Sequence, residues 1–218
     1  MDADTPMGAA LALPYDVTPT PGMRSAMGVH AVGEWWPELG DAAPLAMLIA
    51  ALAVVLARTG GQAELLLGVW RSTGWSGGLV LGTGGEVATG RLLTDVSAAL
   101  ANAGNAGTFA ASQARVRWYA TPPPDLGDDA PLTLEAWPVD GRLHARWRYD
   151  QGLLHERTIA RLTGHLREVL GTLTTGDGAT RLLDVPLATA AERAWLAEVA
   201  EGPARTLPDR RTFRRPTR

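Results

Sequence analysis

Residues 41–70 read DAAPLAMLIAALAVVLARTGGQAELLLGVW and contain the strongest structural signal in the chain, a helix followed by a strand. Asp41 is a good N-cap, and Pro44 fits the first turn of a helix, where its missing N–H removes no hydrogen bond. Large apolar residues then follow at helical spacing with alanine between them: Leu45, Leu48, Ile49, Leu52, Val55 and Leu56. This helix is apolar almost all round, so we expect it to be buried, and glycine after the basic residue Arg58 predicts its end at residues 58–61.

The second half of the stretch predicts a buried strand. Residues 65–70 form a continuous apolar run of strand length, which is typical of a central strand covered on both faces. Residues 79–81 predict a second short strand. The glycine-rich residues between them, 72–78, predict a loop or sharp turn. The glycines as far as Gly85 are not expected to cradle a phosphate, because no G-x-G-x-x-G opens a helix here and no P-loop lysine exists.

In the rest of the chain, the sequence predicts strands at residues 29–32, 116–120, 132–137 and 143–149. It predicts helices at residues 92–103, 155–173 and 190–199. Asp140-Gly141 predicts a hairpin turn between two of the strands. Apolar residues alternate with His144, Arg146 and Arg148 in the strand that follows, which predicts one buried and one solvated face. The sequence therefore predicts a mixed α/β domain with an arm at each end.

Composition excludes several classes of chemistry. The chain has 218 residues, 46% of them hydrophobic, and a net charge of −3, which suits a protein with a core and offers no footprint for nucleic acid. It contains no cysteine, and all 20 of its basic residues are arginine, so disulfides, thiol nucleophiles, Schiff-base lysines and P-loops are excluded. The acidic N-terminus lacks a signal-peptide pattern, and the apolar run at residues 42–57 is too short for a membrane span. We expect a cytoplasmic protein without membrane contact.

The residues that could carry chemistry form no recognisable site. The four histidines are His30, His144, His155 and His165, and none stands in an HxxxD, HExxH or His-His pattern. No serine lies in a G-x-S-x-G elbow. We therefore predict no catalytic residue, no cofactor-binding residue and no metal ligand.

Tryptophan is the most suggestive residue type that remains, with eight in the chain. Trp118, Trp137 and Trp147 are expected to fill core or half-buried strand positions. The pair Trp35 and Trp36, directly before a proline, is harder to bury and is our candidate partner surface. The arginine-rich residues 202–218 are better explained as a linker than as a site for an anionic partner.

Five stretches, taken in order, resemble the C-terminal lobe of nonribosomal peptide synthetase condensation domains. They are LPYD at residues 13–16, the helix, turn and strand of residues 48–68, the strand and helix of residues 149–170, LATAAER at residues 187–193, and LPDRRTF at residues 207–213. LPYD resembles that family's LP-x-D entry, and residues 48–68 resemble its long helix with the "tGq" turn and the strand that follows. Residues 149–170 resemble its closing strand and last helix. LATAAER resembles its "pLLT-x-aER" ending, and LPDRRTF resembles its linker into an adenylation domain. The order and spacing carry this resemblance, since no single motif is diagnostic.

The resemblance implies half of a two-lobed fold similar to chloramphenicol acetyltransferase. In that half, a mixed sheet carries two long helices, residues 42–59 and 155–173, on one side. It also implies a condensation-like C-terminal lobe at residues 28–200 and a linker towards an adenylation domain at 201–218. Residues 1–27, which are rich in Pro, Gly, Thr and Met and have no periodic apolar pattern, predict an extended arm or linker.

The chain departs from the family's motifs in several places. The family's HHxxxDG motif, which belongs to the other lobe, is absent, so the chain resembles a truncated domain. Where the family has G-x-F-V-N-T, this chain has GLVLGT at residues 78–83. The family's HQD-x-PFE segment has no counterpart around residues 104–110. Residues 71–78 form a shorter connection than the corresponding region of the family.

Three hypotheses for function follow from this resemblance. The first is a non-catalytic truncated condensation domain that acts as a scaffold or docking platform beside an adenylation domain or another assembly-line protein. The second is one lobe of a split condensation enzyme, completed by a partner that carries HHxxxDG and acting on carrier-protein-bound substrates. The third is a platform that recruits a tailoring enzyme or a small activator protein through Trp35, Trp36 and an exposed sheet edge.

Overall fold

The apolar stretch around residues 44–71 folds into a buried helix followed by a strand. The computed structural model describes residues 13–18, 26–34, 44–102, 112–124 and 130–201. Helix α1 spans Pro44–Gly60, and every residue from Leu45 to Ala57 is buried, as the all-round apolar pattern predicts. Asp41, the predicted N-cap, lies outside the described residues.

Helix α1 ends in a glycine-dependent turn. Gly61 has a φ of 67°, and the N–H of Gln62 donates to the carbonyl of Ala57 at 2.9 Å. This is the Schellman arrangement, in which the residue after the left-handed glycine bonds back across the last turn. The predicted end of the helix is therefore confirmed. The family-like "tGq" turn has a local reason, because a side chain at position 61 would be strained at this φ.

In the described part of the chain, six strands form one mixed sheet. They are β1 (Met27–Glu34), β2 (Glu64–Arg71), β3 (Trp75–Gly82), β4 (Ala114–Trp118), β5 (Leu132–Val139) and β6 (Arg142–Asp150). Their order across the sheet is β1-β6-β5-β4-β2-β3. Strand β4 is parallel to both β2 and β5, and the other neighbours are antiparallel. Strands β1 and β3 are the two edges.

The sheet carries the helices on its apolar face. Register places Val69, Val116, Leu134 and Trp147 side by side across four strands, and all are at most 1% exposed. Helix α2 spans Thr89–Ala101 and helix α3 spans Glu156–Thr175. The Trp147 indole N–H donates to the Thr163 hydroxyl of α3 at 2.9 Å, and α3 in turn packs against α1. The mixed sheet with two long helices is confirmed, with both helices ending slightly later than predicted.

The hairpin between β5 and β6 confirms its predicted turn. Asp140 and Gly141 have φ values of 50° and 75°. Two consecutive positive φ angles define the type I′ turn, whose twist matches that of the flanking strands. This turn fixes the antiparallel register that sets Leu134 opposite Trp147.

The glycine-rich segment departs from the prediction of a loop. Only residues 72–74 form the turn, with Gly74 at a φ of 90°, and β3 begins at Trp75. Ser76, Gly77 and Gly78 pair with Trp70, Val69 and Gly68 of β2. Glycine lowers strand propensity but leaves the backbone hydrogen bonds available, so pairing with the buried strand β2 prevails.

The outer face of β6 also departs from the prediction of a solvated surface. Arg148 is 5% exposed, and Glu135 opposite Arg146 is fully buried. Charges can be buried here because they are paired, as the Glu135–Arg146 ion pair illustrates.

Strand β1 also differs from the prediction, because it continues past its predicted end at Gly33, through a register shift between Ala31 and Gly33.

The chain divides into two compact units, Met1–Leu187 and Ala188–Arg218. In the second unit, helix α4 spans Ala190–Glu201. The N–H of Thr189 donates to the Glu192 carboxylate at 2.7 Å, and the N–H of Glu192 donates to the Thr189 hydroxyl at 3.2 Å. The capping box is therefore confirmed.

Candidate functional site

The predicted partner surface, Trp35 and Trp36, lies outside the described residues. The four histidines are distributed over two strands and one helix with its N-cap. His30 is on β1, His144 on β6, His155 directly before α3, and His165 within α3. The structure therefore does not bring them together as one site.

His30 and His155 both lie near the start of α3. The nitrogen Nδ1 of His30 is 3.8 Å from Glu156, and Nδ1 of His155 is 3.8 Å from Asp16. Asp16 also accepts the backbone N–H of His155 at 2.7 Å and the hydroxyl of Thr158 at 2.9 Å. Asp16 thus caps α3 from a distant part of the chain, and these contacts are structural.

This capping gives a physical reason for the LPYD segment. Leu13 is buried in the core, and the backbone N–H of Asp16 donates to the carbonyl of Leu153 at 2.9 Å. Burial alone would raise the pKa of Asp16, but the hydrogen bonds from His155 and Thr158 outweigh it and hold that pKa below its ordinary value. The carboxylate is therefore kept ionised at the helix N-terminus, where negative charge is favoured.

The outer face of the sheet holds a buried polar network. Arg146 Nε lies 2.5 Å from the carboxylate of Glu135, and the Tyr119 hydroxyl donates to the same carboxylate at 3.3 Å. Burial raises the pKa of the Tyr119 phenol, and the negative charge of Glu135 raises it further, while a hydrogen bond with Arg117 opposes the shift. Tyr119 therefore remains a neutral donor, and its ring lies 4.9 Å from that of Trp70.

Next to this network, at the hairpin end of β5 and β6, aromatic and charged side chains stack. The guanidinium of Arg146 lies 5.6 Å from the ring centre of Trp137, and the Trp137 and His144 rings are stacked with their centres 6.2 Å apart. All three residues are half-buried. We call Trp137, His144 and Arg146 the sheet-face cluster. It offers a flat aromatic surface and a cation held in place by Glu135.

Sequence reasoning assigned Trp137 a half-buried strand position, which is confirmed, but it did not identify the cluster. The missing signal was register. Val139 pairs with Arg142 across the Asp-Gly turn, and counting back from that pair places Trp137 opposite His144. A prediction that extended the turn along both strands would have brought these side chains together.

The chemistry available to the cluster is recognition. Tryptophan and arginine are the residues that most often dominate the energetics of protein interfaces. His144 stacks on the ring of Trp137 and enlarges this flat surface. Among the described residues, no three His, Asp or Glu side chains are grouped so that they could hold a metal ion. Nor is any described helix long and apolar enough to cross a membrane.

No known protein-family profile matches the sequence, and no curated protein matches it. Solved structures do match. The complex of the X-domain and OxyB from teicoplanin biosynthesis aligns with a TM-score of 0.67 and 16% identity, over 82% of this chain and 52% of that chain. The starter condensation domain of rhizomide synthetase RzmA, as a double mutant in a product-released conformation, aligns with a TM-score of 0.62 and 14% identity. This alignment covers 83% of this chain and 52% of that chain. The epimerization domain TycB3(E) of tyrocidine synthetase B aligns with a TM-score of 0.59 and 12% identity, over 77% of this chain and 52% of that chain.

These similarities define the class of the fold as that of the condensation-type domains of peptide synthetases, which resemble chloramphenicol acetyltransferase. At such identities the likeness establishes the fold. The chain spans about half the length of the structures it matches. It has, more particularly, the fold of one half of a condensation-type domain.

Proposed function

We propose that this chain is a non-catalytic condensation-type lobe that docks another protein of a peptide-synthetase assembly line. The observation that carries the proposal is the fold match to the X-domain, a domain whose structure was solved in complex with OxyB. Intact condensation domains are catalytic, whereas this sequence has no HHxxxDG motif. The four histidines of this chain also do not form one cluster, since His144 lies on β6 and His165 within α3, away from His30 and His155 at the start of α3.

The sheet-face cluster is the surface we assign to docking. Trp137 and Arg146 combine a large apolar ring with a charge whose position is fixed by Glu135, so little side-chain entropy remains to be lost on binding. A tailoring protein is the partner class most directly supported, since OxyB is such a partner of the X-domain. An adenylation domain or a carrier protein are the other partner classes we carry forward.

The test is direct binding of purified proteins. The chain is titrated with the tailoring, adenylation and carrier proteins encoded beside its gene, and we expect at least one to bind. Because an interface tryptophan of this kind contributes about 2 kcal/mol or more, Trp137→Ala is expected to weaken that binding by about thirtyfold. Arg91→Ala is the matched control, since Arg91 is an exposed arginine on α2 whose partner is Asp95.

Each result has a definite consequence. Binding that Trp137→Ala weakens and Arg91→Ala leaves unchanged supports both the function and the surface. Binding that neither substitution changes assigns docking to another surface, for which Trp35→Ala with Trp36→Ala is the next variant. If none of the assembly-line proteins binds, the docking function is wrong.

A split condensation enzyme is the second candidate, and the half-length match is the observation that favours it. In that case a partner lobe would supply HHxxxDG, and this lobe would form the opposite wall of the substrate tunnel. Mixing the chain with a separately produced HHxxxDG lobe should then restore amide formation from carrier-bound substrates. No gain in activity and no co-elution would dismiss this candidate.

A further inference from the structure

Strand β3 presents an open row of backbone groups at one edge of the sheet. The N–H of Thr83 donates to the carbonyl of Ala63 at 2.7 Å, and the β2–β3 register continues without a shift from Glu64↔Gly82 to Arg71↔Trp75. In an antiparallel pair, alternate residues bond to the neighbouring strand and the intervening ones point away. The residues that point away are Ser76, Gly78, Val80 and Gly82. None of them has a hydrogen bond on that side within the described residues.

This edge lacks the features that normally protect a strand from pairing with another chain. Its sequence, WSGGLVLG, contains no charged residue and no proline, and Val80 is 53% exposed. The other edge, β1, is different. A register shift interrupts it between Ala31 and Gly33, and the carbonyl of Val32 is already bound by Arg167 at 2.6 Å. Bulges and charges of this kind block edge pairing, so β3 is the edge that the described part of the chain leaves open.

The side chains of β3 match a second copy of the same strand. Consider an antiparallel pair of β3 strands related by a two-fold axis through Leu79, which then meets its own copy. The outward-bonding residues pair as Ser76 with Gly82 and Gly78 with Val80, so that each side chain faces a glycine. On the other face Leu81 lies opposite Gly77. In the pairs on either side of the axis, a side chain therefore lies opposite a glycine, which leaves room for it. Because the strand contains no charged residue, the pairing brings no like charges together.

We propose that β3 is a homodimerisation edge, at which two copies of this chain pair antiparallel about Leu79 and form one continuous sheet. The interface is isologous, since the same strand serves both copies and the rotation closes the assembly. Backbone hydrogen bonds supply most of the affinity, and the alternation of side chains with glycines fixes the register. This pairing is independent of the docking function proposed for the sheet-face cluster.

The first test is the oligomeric state of the full chain, measured by analytical ultracentrifugation over a range of concentrations. We expect a monomer–dimer equilibrium. Val80→Lys should raise the dissociation constant of the dimer by about tenfold or more, because a lysine on an edge strand opposes pairing. Val29→Lys is the matched control, since Val29 is 55% exposed on the opposite edge strand.

The second test fixes the register by disulfide formation, for which the chain is suited because it has no cysteine. Ser76 and Gly82 of the two copies form a hydrogen-bonded pair, whose Cα atoms lie about 5.5 Å apart, within reach of a disulfide. A Cβ atom on Gly82 meets nothing within 4 Å. A mixture of the Ser76→Cys and Gly82→Cys variants should therefore cross-link under mild oxidation, while neither variant alone should do so.

Three outcomes would overturn the proposal. One is a monomer at every concentration, and another is a dimer that Val80→Lys and Val29→Lys weaken equally. The third is a monomer whose β3 edge binds only a different protein, shown by a hetero-complex that Val80→Lys abolishes. The docking function would survive the first two results, because it is measured by partner binding and by Trp137→Ala.

Discussion

Asp16 illustrates how a single residue far along the chain fixes the start of a helix. The two residues that it bonds, His155 and Thr158, lie at the start of α3, where the N-cap residue His155 makes no side-chain cap of its own. The LPYD segment resembles the LP-x-D entry of the condensation family, but only the structure shows what its aspartate does. A long-range cap leaves no local signal, because the capping-box spacing applies only within a helix.

The first prediction concerns this cap and its dependence on pH. Asp16→Asn should lower the free energy of unfolding at pH 7 by about 0.3 to 1 kcal/mol, because the amide keeps an oxygen acceptor but loses the negative charge that is favoured at a helix N-terminus. The folded-state pKa of Asp16 is depressed, so its stabilisation is present above the ordinary value of 3.8 and is lost as pH falls through the lower folded-state value. Urea denaturation at several pH values measures the difference between variant and native protein.

That difference should shrink as the solution is acidified below the ordinary carboxyl value of 3.8 and through the lower folded-state pKa of Asp16. Asp95→Asn is the control, since Asp95 pairs with Arg91 on the surface of α2 and its replacement should change stability by less than about 0.5 kcal/mol. If the difference in free energy of unfolding between the native protein and the Asp16→Asn variant stayed constant down to the most acidic pH, the charge of Asp16 would have no part in the cap.

Arg58 carries the second prediction. Its guanidinium donates to the carbonyls of Leu182, Leu183 and Val185 at 2.8, 3.0 and 3.0 Å, which ties the end of α1 to the segment after α3. Arg58→Ala should cost about 1 to 3 kcal/mol of stability, because charged donors make the stronger hydrogen bonds. Thermal denaturation measures this loss, with Arg91→Ala as the surface control. Equal effects of the two substitutions would contradict the account.

At the scale of elements, periodicity predicted most of the helices and strands because their apolar residues have a clear repeat. Helix α1 was predictable almost to the residue, since an apolar run, a basic residue and glycine follow one another. The first half of strand β3 was missed, because glycine signals a turn when it is considered alone. Its pairing with β2 depends on a neighbour rather than on its own propensity, and no local pattern contains that information.

A third prediction tests the packing of the two strands at the β1 edge. The ring of Tyr149 lies over Gly28, and a Cβ atom at that position would be 2.5 Å from the ring carbon Cζ. Gly28→Ala should therefore destabilise the fold by about 1 to 3 kcal/mol, as expected for overpacking. The double variant with Tyr149→Ala should show less than additive loss, because the clash is removed.

The control for this prediction is Gly171→Ala in α3. A Cβ atom there meets nothing within 4 Å, so the better helix propensity of alanine should stabilise the protein by about 0.5 to 1 kcal/mol. Opposite signs at the two glycines would support the packing argument. A neutral Gly28→Ala would show that Tyr149 moves aside without cost.

At the scale of the whole molecule, the family resemblance predicted the half-domain fold, and the fold matches agree with it. The sheet-face cluster could not be predicted in the same way. Trp137 and His144 are brought together by strand register, and Arg146 is held there by Glu135. Its residues give no motif, because a recognition surface needs only suitable side chains at the right places. The predicted pair Trp35 and Trp36 remains a separate prediction for the same docking function.

A product assay distinguishes a lobe that docks a partner from one that forms amide bonds. Donor and acceptor substrates on carrier proteins are incubated with the purified chain, with and without a separate HHxxxDG lobe, and carrier-bound product is measured by mass spectrometry. We predict no product in either mixture above the level without the chain. Product from the chain alone, or from the chain together with that lobe, would contradict the proposed non-catalytic function.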